Sequence, residues 1–274
     1  MELYSIETGN FKLDGGAMFG VVPKTMWNKV YPADENNLIN SPMRCLLIKD
    51  GDKTVLIDCG MGEKMDPQLS KFYYLNGDDT LQKSLDKVGV KPEEITDLVL
   101  THLHFDHCGG AVKPDGTLMF PNATHWVSAS HWESAHNPNN RERPSFFTEN
   151  FDPIKEAGKL KIIKKETKLS KNISLKLFYG HTDGLIVPFI KDGKKTLVYV
   201  TDFIPSSSHV QLSFICAYDI NPLVTVDEKQ EFLEEAVEKN YTLFFEHDIH
   251  TECCSLQRTA KGIRVKELFA LNAF

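Results

Sequence analysis

The chain has 274 residues, of which 41% are hydrophobic and 25% are charged, and its formal net charge is −7 at pH 7. These values are ordinary for a globular protein with one large α/β domain or two small ones. The negative charge argues against a nucleic-acid partner, because phosphate binding requires a basic surface. No segment approaches the ~18 apolar residues of a membrane span.

The N-terminal segment and the cysteines indicate the compartment. Residues 1–7 contain neither a basic n-region nor an apolar h-region, so we expect no secretory signal peptide. Six cysteines are scattered along the chain without the density of a disulfide scaffold. We therefore expect a cytoplasmic protein with reduced thiols.

The first part of the chain predicts a hairpin and a helix. Residues 43–48 and 54–57 are largely apolar and are separated by a turn that contains Asp-Gly, which is a strong hairpin signal. Thr80 is a predicted N-cap for a helix that ends at Gly89. The apolar face of this predicted helix consists of Leu81, Leu85 and Val88.

The residues with the clearest chemical meaning form the run THLHFDHCGG at positions 101–110, directly after the apolar residues 98–100. Three imidazoles and one carboxylate lie within six residues, and histidine is the commonest metal ligand at neutral pH. His102 and His104 point the same way in an extended chain. Asp106 and His107 follow in a turn that can aim them at a second point. The spacing predicts a metal site in which one segment can serve two ions.

The later part of the chain predicts a second hairpin and a second helix. The hairpin is formed by residues 185–190 and 196–200, which flank another Asp-Gly turn. Asp227 is a predicted N-cap for a helix that ends at Asn240 and buries an apolar stripe. The acidic residues of this helix are expected to form its solvated face, and they are Glu228, Glu231, Glu234, Glu235 and Glu238. Hairpins with helices between them indicate two sheets covered by helices.

The run HLHFDH at positions 102–107 resembles the signature of the metallo-beta-lactamase superfamily. Matches to the later motifs of that family follow in its order and at its rough intervals, and they are Gly180-His181-Thr182, Asp202 and His247. An early turn at Asp58 also matches. The resemblance covers most of the chain and implies one domain over residues 1–274. Its expected class is α+β, a four-layer αβ/βα sandwich with two mixed sheets flanked by helices.

Carried over by motif position, the resemblance implies two divalent metal ions. The implied ligands are three side chains for the first ion, three for the second and one carboxylate that bridges both. They are His102, His104 and His181, then Asp106, His107 and His247, and finally Asp202. Imidazole and carboxylate ligands suit zinc, and manganese, iron and cobalt are alternatives, because the Irving–Williams order leaves the selection to availability.

The implied chemistry is hydrolysis. A water held between two such ions loses a proton near neutral pH, since even one zinc ion lowers the pKa of bound water to roughly 7. The resulting metal-bridging hydroxide is expected to attack a carbonyl carbon or a phosphorus atom without a covalent intermediate. Asp106 and Asp202 then belong to the catalytic centre. His209 is a third catalytic candidate, because it follows in a serine-rich loop that we expect to rim the cleft and contact substrate.

Two further carboxylates are open to two interpretations each. Asp58 either supports the site, by accepting an N–H from a metal-binding imidazole or by bracing the Asp106 loop, or simply caps a turn. Asp248 either supports its neighbour His247 in the same way or caps the following loop.

The resemblance within the superfamily is to the quorum-quenching lactonases and the methyl-parathion-hydrolase-like members. Lactonase members usually place a tyrosine three residues after the bridging aspartate, where this chain has Pro205. The first expected substrate class is a lactone or other carboxylic ester, the second a phosphotriester and the third a thioester of the glyoxalase II type.

Other classes of protein remain as alternatives. A catalytically silent binding protein on the same fold is the non-enzyme alternative, although such members usually lose metal ligands. Di-iron redox members normally carry a flavin domain, for which this chain is too short. The expected partner is a small-molecule substrate, with no nucleic acid and no membrane, and a homodimer stays open.

Overall fold

The computed structural model describes all 274 residues, which form thirteen strands, eight α-helices and several short 3-10 helices. The strands are β1 (Glu2–Asp14), β2 (Leu38–Asp50), β3 (Lys53–Ile57), β4 (Asp97–Val99), β5 (Thr124–Ser128), β6 (Leu160–Ile163), β7 (Thr167–Lys168), β8 (Ile173–Phe178), β9 (Leu185–Asp192), β10 (Lys195–Tyr199), β11 (Thr242–Phe244), β12 (Cys253–Thr259) and β13 (Gly262–Phe269). The helices are α1 (Gly15–Phe19), α2 (Lys24–Trp27), α3 (Pro67–Ser70), α4 (Leu81–Lys87), α5 (Phe105–Cys108), α6 (Ala129–His136), α7 (Asp152–Glu156) and α8 (Pro222–Glu238).

The chain forms two compact units, and each takes its residues from two segments. The first unit contains Met1–Asn10 and Met43–Thr167, and the second contains Phe11–Pro42 and Lys168–Phe274. The assignment of residues 1–274 to a single domain stays a prediction.

The sheet to which the first unit contributes most has six strands in the order β1-β2-β3-β4-β5-β6. Strands β2 and β3 pair antiparallel, whereas β3, β4, β5 and β6 run parallel. Parallel strands that are covered on both faces are almost wholly apolar, and Leu56 and Leu98 are completely buried here. Helix α4 adds Leu85 to the same apolar core. The carboxyl ends of β3 and β4 lead directly into Asp58 and the predicted metal-binding motif at positions 101–110.

The second unit contains a sheet of seven strands in the order β13-β12-β11-β10-β9-β8-β7. Strands β10 and β11 are parallel, and the pairings of β8 with β9, β9 with β10, β11 with β12 and β12 with β13 are antiparallel. Helix α8 packs Phe232, Leu233 and Ala236 into the core that this sheet forms with Val198 and Leu243. The ends of β8, β10 and β11 precede His181, Asp202 and His247.

These observations confirm the α+β class with two mixed sheets flanked by helices. Both predicted hairpins are present as β2–β3 and β9–β10. The first predicted helix is confirmed as α4, and the hydroxyl of Thr80 accepts a hydrogen bond from the N–H of Lys83. No helix combines the length and the apolar composition that crossing a membrane requires.

The predicted start of the second helix is wrong. Helix α8 begins at Pro222, five residues before the predicted N-cap Asp227, and Asn221 is the observed N-cap residue. Proline suits the first helical position because the N–H that it lacks has no partner within the helix there. Leu223 is 80% exposed, and the one buried residue of the first turn is the polar Thr225, so this turn adds no apolar residue to the buried stripe on which the prediction depended.

Candidate metal centre

The predicted metal-binding motif at positions 101–110 is fixed by Asp58, which follows β3. Its backbone N–H donates to the carbonyl of Val99, at the end of the neighbouring strand β4. Its carboxylate accepts from the N–H and the hydroxyl of Thr101, at 2.8 and 2.7 Å, and its Oδ2 lies 3.2 Å from Nδ1 of His107. Asp58 therefore braces the motif and also faces one of its imidazoles, so it is more than a turn cap.

His102 and His104 present two ring nitrogens to one point. The Thr101 hydroxyl donates to Asp58, so its oxygen accepts from Nδ1 of His102, 3.0 Å away, and leaves a lone pair on Nε2. That Nε2 lies 3.0 Å from Nδ1 of His104. Two nitrogens bound to one tetrahedral zinc ion at about 2.0–2.1 Å are about 3.3 Å apart. The spacing of the two nitrogens fits ligands of a single ion.

Asp106 and His107 lie on the single turn of α5 and form a second pair of donors. Nδ1 of His107 faces the carboxylate of Asp58, and Nε2 points toward Asp106, whose Oδ2 lies 3.6 Å away. An imidazole that donates one N–H to a carboxylate and offers its other nitrogen is the usual arrangement of a metal-binding histidine.

In the second unit, His181 is held between two carboxylates. Its Nδ1 lies 2.8 Å from Oδ1 of Asp219, and its Nε2 lies 3.1 Å from Oδ2 of Asp202. Burial alone lowers the pKa of His181, but Asp202 and Asp219 outweigh burial and raise the pKa to about 10. A metal ion at Nε2 would take the place of the proton that this carboxylate pair favours.

His247 approaches the other oxygen of Asp202. Its Nδ1 lies 2.8 Å from the carbonyl oxygen of Pro42, which can only accept, so Nδ1 carries the proton of the neutral ring. Its Nε2 lies 3.0 Å from Oδ1 of Asp202. A nitrogen lone pair and a carboxylate oxygen repel one another at this distance unless a cation lies at both. The second unit thus contains one carboxylate whose two oxygens each face a different imidazole.

The chemistry of this donor set fits divalent metal ions. All seven side chains predicted as ligands belong to groups of histidine, aspartate and glutamate that could hold an ion. Four of them lie together in the first unit and three in the second.

His209, the third catalytic candidate, does not lie on an exposed rim. It is 1% exposed, its Nδ1 lies 2.7 Å from the Ser206 hydroxyl, and its Nε2 lies 2.8 Å from the carbonyl of Met18. Its ring stacks on Phe19 with a centroid distance of 4.6 Å, and burial lowers its pKa to about 4. This placement corrects the expected rim position and favours a packing role over contact with substrate.

Asp248 caps the following loop and also binds a second one. Its Oδ1 accepts from the N–H groups of His250 and Thr251, at 2.8 and 3.2 Å. Its Oδ2 accepts from the N–H and the hydroxyl of Ser207, at 2.8 and 2.5 Å. Asp248 thereby connects the chain after His247 to the loop after Asp202.

Sequence reasoning missed Asp219, the partner of Nδ1 of His181, and misplaced Glu228. Glu228 is half-buried and accepts backbone hydrogen bonds from Tyr179 and Gly180, so it is not part of a purely solvated face. Asn221-Pro222 is a recognisable start signal for a helix. With that signal, the sequence would have placed Asp219 just before the helix, but it would not have paired it with His181.

Comparison of the sequence with known proteins gives one family and several relatives. The family model described as metallo-beta-lactamase superfamily matches residues 43–247. An N-acyl homoserine lactonase of Bacillus thuringiensis is 22% identical over 228 residues, which cover 78% of this chain and 84% of the relative. An N-acyl homoserine lactonase of Bacillus cereus is 33% identical over 84 residues, but that match spans only 34% of the relative and 27% of this chain.

Solved structures share the fold over almost the whole chain. A probable metal-dependent hydrolase from Staphylococcus aureus has a TM-score of 0.91 at 28% identity, with 98% of this chain and 96% of the other covered. AidC, a dizinc quorum-quenching lactonase in complex with a product, has a TM-score of 0.81 at 24% identity, with 96% and 93% covered. The likeness to AidC is one of fold.

Proposed function

The chain belongs to the metallo-beta-lactamase superfamily of hydrolases, and from this membership we propose that it uses two divalent metal ions to hydrolyse a lactone or other carboxylic ester. The observation that carries the proposal is Asp202, whose two oxygens lie 3.1 and 3.0 Å from Nε2 of His181 and of His247. A carboxylate with a separate imidazole at each oxygen is suited to bridging two ions. Zinc is the first choice, as in the dizinc enzyme AidC.

The proposed ligand assignment follows the motif positions of the family. Three side chains would hold each ion, and one carboxylate would be shared by both. The ligands are His102, His104 and His181 for one ion, Asp106, His107 and His247 for the other, and Asp202 for both.

The chain's own residues orient these ligands and set their protonation. When bound, the ions supply Lewis acidity toward the scissile carbonyl and lower the pKa of water to roughly 7. Asp58, Asp219 and the carbonyl of Pro42 fix the Nδ1–H tautomers of His107, His181 and His247, so that each ring offers Nε2 as a ligand. His102 reaches the same state through Thr101.

The preference for a lactone rests on relatives that are N-acyl homoserine lactonases by name. One residue favours a phosphotriester as the second substrate class. Pro205 stands where lactonase members usually carry a tyrosine, so this position supplies no hydroxyl to polarise a ring carbonyl. The carbonyl of Pro205 accepts the N–H of His247, at 3.2 Å, a backbone contact that any residue at this position could make.

The test is a substrate panel with the zinc-loaded protein. Lactones, aryl esters, thioesters and phosphotriesters are assayed side by side, before and after removal of metal by a chelator. We expect the highest kcat/KM on a lactone or ester, loss of turnover with the chelator and recovery with zinc, cobalt or manganese. Unchanged turnover by metal-free protein would refute the mechanism. Metal binding without turnover of any class would favour a binding protein.

A further inference from the structure

We propose that Glu228, on helix α8, is a positioning residue for His181, because its carboxylate fixes the two backbone amides that precede this metal ligand. The inference rests on the proposed metal centre and deepens it by assigning part of its geometry to a residue outside every motif. None of the atoms of Glu228 is proposed to bind the metal or the substrate.

The first step of the argument is the pair of amides that Glu228 holds. Strand β8 ends at Phe178, so the residues that follow are no longer hydrogen-bonded within the sheet. Their backbone N–H and carbonyl groups therefore need other partners. The N–H of Tyr179 lies 2.8 and 3.0 Å from Oε1 and Oε2 of Glu228, and the N–H of Gly180 lies 3.1 Å from Oε2. Hydrogen bonds to an ionised acceptor are roughly twice as strong as neutral ones.

The remaining backbone groups of this segment bind to the residues just before α8. The carbonyl of Gly180 accepts from the N–H of Asn221 at 2.9 Å, and the carbonyl of His181 accepts from the N–H of Ile220 at 3.2 Å. The side-chain amide of Asn221 donates to the carbonyl of Tyr179 at 3.3 Å. The segment is thus held along its whole length by residues 220–228.

Gly180 shows how closely the segment lies against α8. A Cβ atom built on Gly180 would lie 2.2 Å from Oγ1 of Thr225 and 2.6 Å from its Cα and N. Because two of these are backbone atoms, no rotation of a side chain would make room. The contact leaves the segment little freedom to shift toward the helix, and Glu228 limits movement away from it.

The consequence for the metal lies in the direction of the imidazole. Asp219 directly precedes the residues that hold the backbone of His181, and its Oδ1 lies 2.8 Å from Nδ1 of the imidazole. The other ring nitrogen, Nε2, then faces Oδ2 of Asp202 at 3.1 Å. Loss of Glu228 would leave the two amides before His181 without their acceptor while Asp219 still holds the ring, so the direction of Nε2 would be less firmly fixed. Loss of a residue that orients a ligand typically lowers metal affinity 10- to 100-fold.

The experiment is a zinc titration of the metal-free, full-length protein in competition with a chromophoric chelator. The variants are Glu228→Gln, which keeps one acceptor oxygen, and Glu228→Ala, which keeps none. Glu231→Gln is the matched control, because Glu231 is exposed on the same helix and its change removes the same charge. We expect wild type and control to bind two zinc ions with the same affinities. Glu228→Ala should weaken one binding step by about 10- to 100-fold, Glu228→Gln should weaken that step less, and the other step should not change.

The outcomes separate this inference from the proposed function. Two zinc ions bound by both Glu228 variants with the affinities of the control would overturn the positioning role and leave the metal centre intact. A wild-type protein that binds no zinc would overturn both. Thermal unfolding of the metal-free variants, followed by circular dichroism, establishes folding. If Glu228→Ala does not fold, then Glu228→Gln decides the question by the same comparison with Glu231→Gln.

Discussion

The buried carboxylate of Asp58 connects the end of a core strand to the imidazole of His107. It accepts from two donors of Thr101 and faces Nδ1 of His107. In Asp58→Asn, an amide N–H₂ must face at least one of these donors. We expect a loss of about 1–3 kcal/mol in the free energy of unfolding, measured by urea denaturation of the metal-free protein, and a zinc affinity that is 10- to 100-fold lower, in the range typical of such partners.

A matched control separates these two effects. Asp97 is also a buried carboxylate of the first unit, and it accepts from Lys53, Thr96 and Trp126 at 2.8, 2.7 and 2.9 Å. Asp97→Asn should destabilise the protein comparably and leave the zinc affinity unchanged. If both variants bind zinc equally well, Asp58 does not orient His107.

His125, on the interior strand β5, makes stability depend on pH. Burial, the largest influence, lowers its pKa from 6.5 to about 4. Between these values the unfolded chain binds the proton and the folded chain does not, so stability falls as the pH falls. The loss approaches about 1.4 kcal/mol per pH unit and totals about 3 kcal/mol. Urea unfolding of metal-free protein from about pH 7 to about pH 4 should show this slope, and His125→Gln should remove that part of it. Equal slopes for both proteins would contradict the assignment.

At the scale of elements, Gly109 and Gly110 allow the chain after α5 to pack closely against the loop that follows β3. A Cβ on Gly109 would lie 2.0 Å from the carbonyl oxygen of Met61, and one on Gly110 would lie 2.2 Å from that of Cys59. Gly109 has an ordinary helical φ of −59°, so Gly109→Ala introduces a clash without dihedral strain. We expect a loss of about 3 kcal/mol or more in the free energy of unfolding, measured by thermal and urea denaturation.

Gly116 provides the comparison for Gly109. Its φ is +83° and no atom lies within 4 Å of a Cβ placed there, so Gly116→Ala adds strain without a clash. Its expected effect is about 1–2 kcal/mol. Should Gly109→Ala prove no more harmful than Gly116→Ala, the close approach of the two loops is not needed for stability.

Local elements could be predicted where the signal is itself local. The two hairpins follow from Asp-Gly turns between apolar runs, and the proposed ligands of the first unit come from one continuous motif. The environment of His209 could not be predicted, because it depends on distant residues. Lys229 donates to the carbonyls of His209, Gln211 and Phe214 at 3.0, 3.0 and 2.8 Å, and Phe19 covers the ring. A serine-rich loop that looks exposed in the sequence is therefore anchored on α8.

At the scale of the whole molecule, the motifs propose an order of ligands along the chain, but they give no sign of the partners that orient these side chains. Asp219 lies 38 residues after His181, and Pro42 lies 205 residues before His247. Neither pair has a periodic relation that a sequence pattern could reveal. A carbonyl also carries no sequence signature, since every residue has one. The motifs therefore specify which atoms can bind metal, and tertiary contacts specify their direction.

Metal binding should stabilise the folded chain, because an ion that binds only the native state shifts unfolding by mass action. Zinc at about 100 times its dissociation constant contributes about 2.7 kcal/mol for one site. We expect zinc to raise the Tm of the metal-free protein, and Asp202→Ala to abolish most of that rise, since the proposed bridge serves both ions. Asp227→Asn is the control, because Asp227 is exposed on α8. It should retain the full increase.

Substitution of a ligand proposed for only one ion should reduce the zinc-dependent increase in Tm, because the proposed ligand set is divided between two ions. His104→Ala removes a donor proposed for one ion, and His247→Ala removes a donor proposed for the other. Each variant should therefore lose the contribution of one ion and keep that of the other. Bound zinc counted by elemental analysis should then fall from two ions per chain toward one. Two ions retained by His247→Ala, with an unchanged increase in Tm, would show that His247 is not a metal ligand.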